Sequence, residues 1–258
     1  MRCIIITRRH LRVALSAVLA VGLLFVGVFS YQAYAAGERK IPIYCVDKGE
    51  KKEIALSFDA AWGNEDTEQL IEILAKYQVK ATFFVVGAWV DKYPESVRQL
   101  AAAGHDIGNH SNAHPHMPQL SKEKMVTELQ SCNEKVKAVT GNTPLLFRAP
   151  YGDYNNTMCD TVKECGMYTI QWDVDSKDWM EGHTADKIVK DVCSKVKPGS
   201  IVLFHNAAEH TPEALAGIIE ALIADGYTIL PVSQMLLPGD THIDSNGRQC
   251  PADADAGT

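Results

Sequence analysis

The chain has 258 residues, of which 46% are hydrophobic and 22% are charged, and its formal net charge is −7 at pH 7. These values are typical of a globular protein with enough apolar residues for one sizeable core. The acidic balance argues against nucleic acid as a partner, because binding to phosphates requires clustered Lys and Arg.

Residues 1–35 form a basic and apolar leader. Arg2, Arg8, Arg9 and Arg12 precede residues 13–29, which carry no charge, and Ala-Tyr-Ala at 33–35 fits a cleavage site for export. The apolar run lies at the short end of what spans a bilayer. The leader therefore predicts an exported protein, in which this segment is either cleaved as a signal peptide or retained as a membrane anchor.

Seven cysteines are present, and Cys3 lies in the leader. The remaining six allow disulfides in an oxidising compartment, with the pairing left open. No Cys-x-x-Cys occurs, which argues against a zinc ribbon. For Cys159 and Cys165, buried free thiols are the alternative to a bridge.

The rest of the chain alternates between predicted strands and helices. Residues 36–52 are polar and predict a linker, or an outer strand around 43–46. Strands are predicted at 54–62, 81–86, 105–109, 145–148, 168–174, 200–204 and 227–232, and helices at 66–78, 94–103, 121–140, 156–165, 184–196 and 211–225. A last helical turn is predicted at 233–237.

This alternation predicts one α/β domain over residues 53–238. Strands that alternate with helices become parallel through right-handed crossovers, which gives a (β/α) barrel or an open doubly wound sheet. Residues 239–258 lose all periodicity and end in an acidic stretch, so they predict a flexible acidic tail.

Polar side chains lie at the C-terminal ends of five of the predicted strands. They are Asp59, the pair His110 and His114, Arg148, Asp178 and His205. Taken singly, each has a plain explanation: a helix cap, surface histidines, an exposed turn arginine, a solvated loop or a satisfied core histidine. Because the carboxyl ends of parallel strands share one face of a barrel, we expect the five groups to form one reactive site.

At this point the chain resembles the polysaccharide deacetylase family, also called carbohydrate esterase family 4, over residues 52–237. The matching motifs are Ser57-Phe58-Asp59, His110-x3-His114-Pro115, Arg148-x-Pro150-Tyr151-Gly152, Asp175-x2-Asp178-Trp179 and Leu203-x-His205. The resemblance implies a distorted (β/α) barrel with about seven parallel strands. It also implies hydrolysis of an N-acetyl group on a glycan, assisted by a divalent metal, usually zinc or cobalt.

The resemblance assigns a role to each motif. His110 and His114 would hold the metal, and Asp59 would be the general base, oriented by Arg148. His205 would be the general acid, kept protonated by Asp178. The turn at Pro150 would present the backbone N–H of Tyr151 to the oxyanion, and Trp179 and Leu203 would receive the acetyl methyl group.

One position departs from the family pattern. The usual second aspartate, the third metal ligand, is replaced by Ala60, and Asn64, Glu65 and Asp66 are the nearby candidates to substitute for it. Two hypotheses follow: an active deacetylase, or a catalytically silent glycan-binding or assembly protein that keeps the fold. A glycosidase with Asp59 and Asp175 as its carboxylate pair ranks third, because the histidine pair would then have no role.

The Phe-Asp-x-x-Trp-Gly form resembles a subgroup of exported deacetylase-like proteins of spore-forming Gram-positive bacteria, some of them linked to cortex or wall peptidoglycan. We therefore expect a location outside the cell, in the wall or spore envelope, with attachment to the membrane if the leader is retained. The expected partner is a cell-wall polysaccharide. No feature of the sequence indicates an oligomer, and we expect a monomer.

Overall fold

A computed structural model describes residues 39–252 of the chain. The predicted export leader and the last six residues of the predicted tail lie outside the described residues. No helix within residues 39–252 has both the length and the apolar character needed to cross a bilayer.

The main sheet is a row of parallel strands. Its members are β2 (Glu53–Ala60), β3 (Thr82–Val85), β4 (Asp106–Asn109), β5 (Leu146–Phe147), β6 (Tyr168–Thr169), β7 (Val174–Asp175) and β8 (Ile201–His205). They lie in the order β6-β5-β4-β3-β2-β8-β7, and β9 (Thr228–Ile229) pairs with the start of β2. The chain thus forms an α/β half-barrel of seven parallel strands, and the predicted fold class is confirmed.

The sheet must curl, because its two end strands are consecutive in the chain. Only residues 170–173 join β6 to β7, and four residues span at most about 14 Å. This join divides the single strand predicted at 168–174 into two short ones. The ends of the curled sheet therefore approach each other and leave a gap.

Residues 43–46 lie in that gap. The Ile43 N–H donates to the Thr169 carbonyl on one side, and the Val46 N–H donates to the Gly199 carbonyl on the other, at 2.9 and 3.0 Å. Strand β1 (Cys45–Val46) belongs to this segment. Of the two interpretations of residues 36–52, the structure has the outer strand rather than a free linker.

Strand β2 is buried on both faces and divides two cores. Ala55 lies in the apolar cluster inside the barrel, whereas Ile54, Leu56 and Phe58 lie in the cluster between the sheet and the helices. The Phe58 ring stacks on those of its neighbours Phe83 and Phe204, with centroids 4.8 and 5.3 Å apart. Burial of each such ring contributes about 1.5–3 kcal/mol. The same alternation turns Asp59 away from the helices.

Eight helices accompany the strands in the described part of the chain. They are α1 (Thr67–Lys76), α2 (Gly87–Lys92), α3 (Pro94–Ala102), α4 (Lys122–Thr140), α5 (Asn156–Glu164), α6 (Ala185–Cys193), α7 (Thr211–Ala224) and α8 (Val232–Met235). The sequence marks several ends clearly: Ser121 caps α4 through its side chain, and Gly141 ends it with a φ of 81°. The six residues of α2 were not predicted.

The region after residue 238 differs from the predicted flexible tail. Strands β10 (Thr241–Ile243) and β11 (Arg248–Pro251) form an antiparallel hairpin, and β11 pairs with β1. The Gln249 side chain is buried and its oxygen accepts from the Leu237 N–H. A hairpin of such short strands carries little hydrophobic periodicity, which explains why the sequence pattern did not reveal it.

None of Cys45, Cys132, Cys159, Cys165 and Cys193 forms a disulfide. Cys132 is fully buried on α4, where its Sγ lies 3.3 Å from the Val85 carbonyl oxygen. For Cys159 and Cys165 the structure has the thiol alternative rather than the bridge.

Candidate active site

The carboxyl ends of the strands open into a cleft of about 850 Å³. Seven of the side chains that sequence analysis singled out as acid-base groups, metal ligands or acetyl contacts line it: Asp59, His110, His114, Asp178, Trp179, Leu203 and His205. Tyr151 of the predicted oxyanion turn lines it as well. Arg148 lies beneath the cleft and is fully buried.

Asp59 and Arg148 form a buried ion pair at the floor of the cleft. Arg148 Nη1 donates to Asp59 Oδ1 at 2.8 Å, and the two side chains are 0% and 9% exposed. Burial by itself would raise the pKa of Asp59, but the charges of Arg148 and His205 and the hydrogen bond from Arg148 outweigh it and hold the pKa below its ordinary value. Asp59 is therefore an anion, as a general base must be.

Arg148 is positioned by groups that sequence analysis did not assign to the site. Its Nη2 donates to Ser57 Oγ at 2.8 Å and to the Gln171 carbonyl at 3.1 Å, and the Phe84 ring centroid lies 4.1 Å from the guanidinium carbon. Ser57 could have been found, because it lies two residues before Asp59 on the same face of β2. The contacts with Gln171 and Phe84 depend on strand pairing, which the sequence does not reveal.

His205 and Asp178 form the second pair. Asp178 Oδ1 lies 2.8 Å from His205 Nδ1, while its Oδ2 accepts from the His205 N–H and from Thr211 Oγ1, the latter at 2.7 Å. Burial would lower the pKa of His205, but the hydrogen bond and charge of Asp178 raise it above its ordinary value. This imidazole therefore retains a proton to higher pH than a free histidine.

His110 and His114 follow β4 and their ring centroids lie 5.0 Å apart. His110 Nδ1 lies 2.8 Å from the Arg148 carbonyl oxygen, which only accepts, so Nδ1 carries the hydrogen and Nε2 carries a lone pair. That Nε2 is 3.6 Å from Asp59 Oδ2. Burial lowers the pKa of both histidines, that of His114 to about 4, so both rings are neutral and able to ligate.

These two rings fit a metal as a pair of nitrogen donors. A lone pair of His110 faces a carboxylate, and Nδ1 of His114 is buried without a hydrogen bond, so a cation would satisfy groups that otherwise lack a partner. The third donor is missing. Within residues 39–252 no cluster of three or more His, Cys, Asp or Glu side chains is arranged to hold a metal ion.

Two of the nearby candidates for the third ligand make other hydrogen bonds. Asn64 Nδ2 donates to Ser96 Oγ, Asp66 Oδ2 accepts from the Ala207 N–H, and Glu65 is exposed. Asp66 Oδ1 is buried without a hydrogen bond to any residue among 39–252. Ala60 itself is fully buried in the helix-facing core. Replacement of the missing aspartate by one of the three candidates therefore stays a prediction.

The turn after β5 has the shape expected of an oxyanion site. Tyr151 adopts φ 60° and ψ 4°, a left-handed conformation that costs a non-glycine residue about 1–3 kcal/mol. Gly152 and Asp153 donate their N–H groups to Ala149 and Pro150, whereas the N–H of Tyr151 meets no acceptor among residues 39–252. Pro150 is buried and fixes the start of this turn.

The aromatic rim of the cleft was only partly predicted. Trp179 is 62% exposed beside the cleft, and Leu203 lies buried at its base. Trp62, 70% exposed, also lines the cleft, and its ring lies 5.9 Å from that of His114. The Asn206 side chain holds the Trp62 loop by donating to the carbonyls of Trp62 and Gly63.

Comparison with known proteins identifies this arrangement. The sequence model of the family described as polysaccharide deacetylase matches residues 47–170. A peptidoglycan-N-acetylglucosamine deacetylase of Bacillus cereus is 35% identical over 191 residues, which are 72% of this chain and 89% of that protein. The chain belongs to the polysaccharide deacetylase family. The resemblance drawn from the five motifs is thereby confirmed.

Other members of the polysaccharide deacetylase family match over a smaller share of their length. The uncharacterized protein YlxY of Bacillus subtilis is 35% identical over 76% of this chain and 60% of its own length. The peptidoglycan-N-acetylmuramic acid deacetylase PdaC of the same species is 33% identical over 72% of this chain and 39% of its own length. The chain therefore spans less than two thirds of the length of both.

A solved structure of the polysaccharide deacetylase family is also similar to this chain. It is a CE4 family pseudoenzyme from Bacillus anthracis, with a TM-score of 0.72 and 34% identity over 75% of this chain and 68% of that one. A mutant of that protein, described as having restored enzymatic activity, matches with the same TM-score and 36% identity.

Proposed function

We propose that this protein hydrolyses N-acetyl groups on a cell-wall glycan, a peptidoglycan or a related polymer of N-acetylglucosamine. The observation that carries the proposal is the convergence of two pairs, Asp59 with Arg148 and His205 with Asp178, on one cleft. One pair supplies an anionic base and the other a protonated acid, as amide hydrolysis needs. The similarity to peptidoglycan deacetylases supports the substrate class.

The chain's own residues would divide the reaction between them. Asp59, held as an anion by Arg148, accepts the proton of the attacking water. The N–H of Tyr151 donates to the oxyanion that develops on the acetyl carbonyl, and His205 protonates the departing amine. Trp179 and Leu203 receive the acetyl methyl group.

A divalent cation, zinc or cobalt, would bind to His110 and His114. When bound, such a cation supplies Lewis-acid polarisation of the acetamide carbonyl. The two imidazoles leave more of its coordination to water than a site with a carboxylate does, so we expect weaker retention of the metal than in members that keep the second aspartate.

We propose that this activity lies outside the cell, in the wall or spore envelope, because residues 1–35 have the pattern of an export leader, and that the chain is either released or attached to the membrane through residues 13–29. The acidic composition and the absence of a basic patch motif exclude nucleic acid from the proposal. We propose that the protein acts as a monomer.

The second candidate function is a catalytically silent glycan-binding protein. Ala60 favours it, because it removes a metal ligand, and so does the similarity to a family pseudoenzyme. The deacetylase is preferred because base, acid, oxyanion turn and histidine pair all remain in one cleft, and a silent protein has no need of them.

Acetate release distinguishes the two. The purified protein, supplied with zinc or cobalt, is incubated with peptidoglycan and with N-acetylglucosamine oligomers. We expect acetate release that falls by about 10²–10⁴ in Asp59→Asn, because a general base is lost. The matched control Asp186→Asn, on the exposed face of α6, should leave the rate unchanged. Glycan binding without acetate release in the wild type would support the silent protein instead.

A further inference from the structure

The two sides of the cleft differ in charge. Asp175 is the last residue of β7, Glu181 lies on the segment after it, Glu209 lies on the segment after β8, and all three line the cleft. None of the three forms an ion pair with any residue in the described part of the chain, in contrast to Asp59 and Asp178.

The opposite side of the cleft carries the histidine pair, after β4. In the sheet, β4 is separated from β8 by β3 and β2, so the three carboxylates lie across the cleft from His110 and His114. Among residues 39–252 no lysine or arginine lines the cleft, and Arg148 is buried beneath it in a pair with Asp59. The protonated His205 on this side is paired with Asp178, so the three further carboxylates give the side formed by β7 and β8 a net negative charge.

Trp179 lies between Asp175 and Glu181 in the sequence and lines the same cleft; it is 62% exposed and offers a flat apolar face to a sugar ring. A cleft of about 850 Å³ has room for more than the one sugar that is deacetylated. A neighbouring sugar of the chain would therefore contact Trp179 beside Asp175, Glu181 and Glu209.

We infer that the β7–β8 side of the cleft selects glycans by charge, accepting neutral sugars and disfavouring sugars that carry a carboxylate. A lactyl or peptide carboxylate placed there would meet like charges, of which those of Glu181 and Glu209 are exposed. Like charges at such distances weaken binding, and salt reduces the effect where the groups are exposed. The inference rests on the proposed function for its catalytic readout, and it names the substrate class: stretches of neutral N-acetylated sugar rather than carboxylate-bearing muramyl sugar.

The test uses two ligands that differ only in charge. One is a peptide-free oligomer of alternating N-acetylglucosamine and N-acetylmuramic acid, and the other is the same oligomer with its lactyl carboxylates converted to amides. Dissociation constants are measured by calorimetry and kcat/KM by acetate release, both at low ionic strength and at 0.5 M salt, which is about the level that screens exposed charges beyond a few ångströms.

We expect the wild type to prefer the amide form by about tenfold at low salt, with the preference shrinking at high salt. In Glu181→Gln/Glu209→Gln the preference should fall to about threefold or less, because one of three charges remains. Glu68→Gln, an exposed acid on α1 outside the cleft, should keep the wild-type preference.

Equal binding of the two forms by the wild type, or an unchanged preference in the double variant, would overturn the inference. The dissociation constants measure the charge preference even if no acetate is released from either oligomer. A preference in binding with no acetate release from any glycan would refute the proposed deacetylase and leave the charge selection standing. Acetate release with no preference in binding would refute the charge selection and leave the proposed deacetylase standing.

Discussion

Replacing Arg148 by Met should destabilise the protein by about 3–5 kcal/mol, because it leaves the Asp59 carboxylate buried without its partner. The structure supports this magnitude: the guanidinium is 0% exposed and donates to Asp59, Ser57 and the Gln171 carbonyl. Methionine keeps an apolar stem against the Phe84 ring, so the loss comes mainly from the charge. For a domain of this size the corresponding fall in Tm is about 6–20 °C.

The assay is urea unfolding followed by circular dichroism at pH 7. The matched control is Arg98→Met, whose guanidinium is 54% exposed in a surface pair with Glu95 and should change stability by less than about 1 kcal/mol. In Asp59→Asn/Arg148→Met the buried charge is gone, so much of the loss should be recovered. The coupling between the two substitutions then measures the cost of the unpaired carboxylate.

The pH dependence has a defined sign. The pKa of Asp59 is lowered in the folded protein, so the stability that it contributes is present above the unfolded pKa and is lost as pH falls through the folded pKa. Without Arg148, burial dominates and raises the pKa of Asp59. As pH falls, Asp59 of the variant therefore becomes protonated and the cost of burying its charge disappears. The difference in free energy of unfolding between wild type and Arg148→Met should therefore narrow toward about pH 4. A gap under about 1 kcal/mol at pH 7, or no recovery in the double variant, would refute the reasoning.

Three further predictions concern other parts of the site and its frame. Asp178→Asn removes the group that raises the pKa of His205. The alkaline limb of the pH profile of acetate release should therefore move to lower pH by about one unit. An unmoved limb would argue against His205 as the general acid. Gly108→Ala places a Cβ 2.5 Å from the Phe84 ring, which supports the buried Arg148 guanidinium. The free energy of unfolding in urea should fall by about 1–3 kcal/mol. An unchanged free energy of unfolding would show that the ring is free to move. Gly199 has a φ of +87°, and in Gly199→Ala the added Cβ would lie 1.7 Å from the Val46 carbonyl oxygen of β1. This substitution should lower Tm by several degrees. An unchanged Tm would mean that β1 does not pack in the gap of the sheet.

The alternation of strands and helices was sufficient to predict about seven parallel strands, in a barrel or an open doubly wound sheet, and the family resemblance implied the barrel. The sequence also indicated which polar residues meet, since Asp59, Arg148 and His205 each lie at the C-terminal end of a predicted strand and parallel strands end on one face. Strand parity alone would have placed Ser57 beside Asp59. These features depend on local pattern, which one sequence contains.

Other features depend on contacts between distant segments, and the sequence could not supply them. The hairpin of β10 and β11 forms by pairing with β1, about 200 residues away along the chain, and its short strands carry no periodicity of their own. The clamp of Asn206 on the Trp62 loop joins the ends of β2 and β8. The carboxylates of Glu181 and Glu209 looked like ordinary loop acids until the fold placed both in the cleft.

In the proposed mechanism, two histidines suffice to support metal-assisted hydrolysis. The most direct measurement is metal content, by elemental analysis after equilibration with zinc and brief desalting, together with zinc-dependent acetate release, for wild type, His114→Ala and the control His242→Ala on β10. We expect bound metal and acetate release in wild type and control, and the loss of both in His114→Ala. Acetate release in His114→Ala equal to wild type, or a wild type with neither metal nor acetate release, would contradict the proposed mechanism.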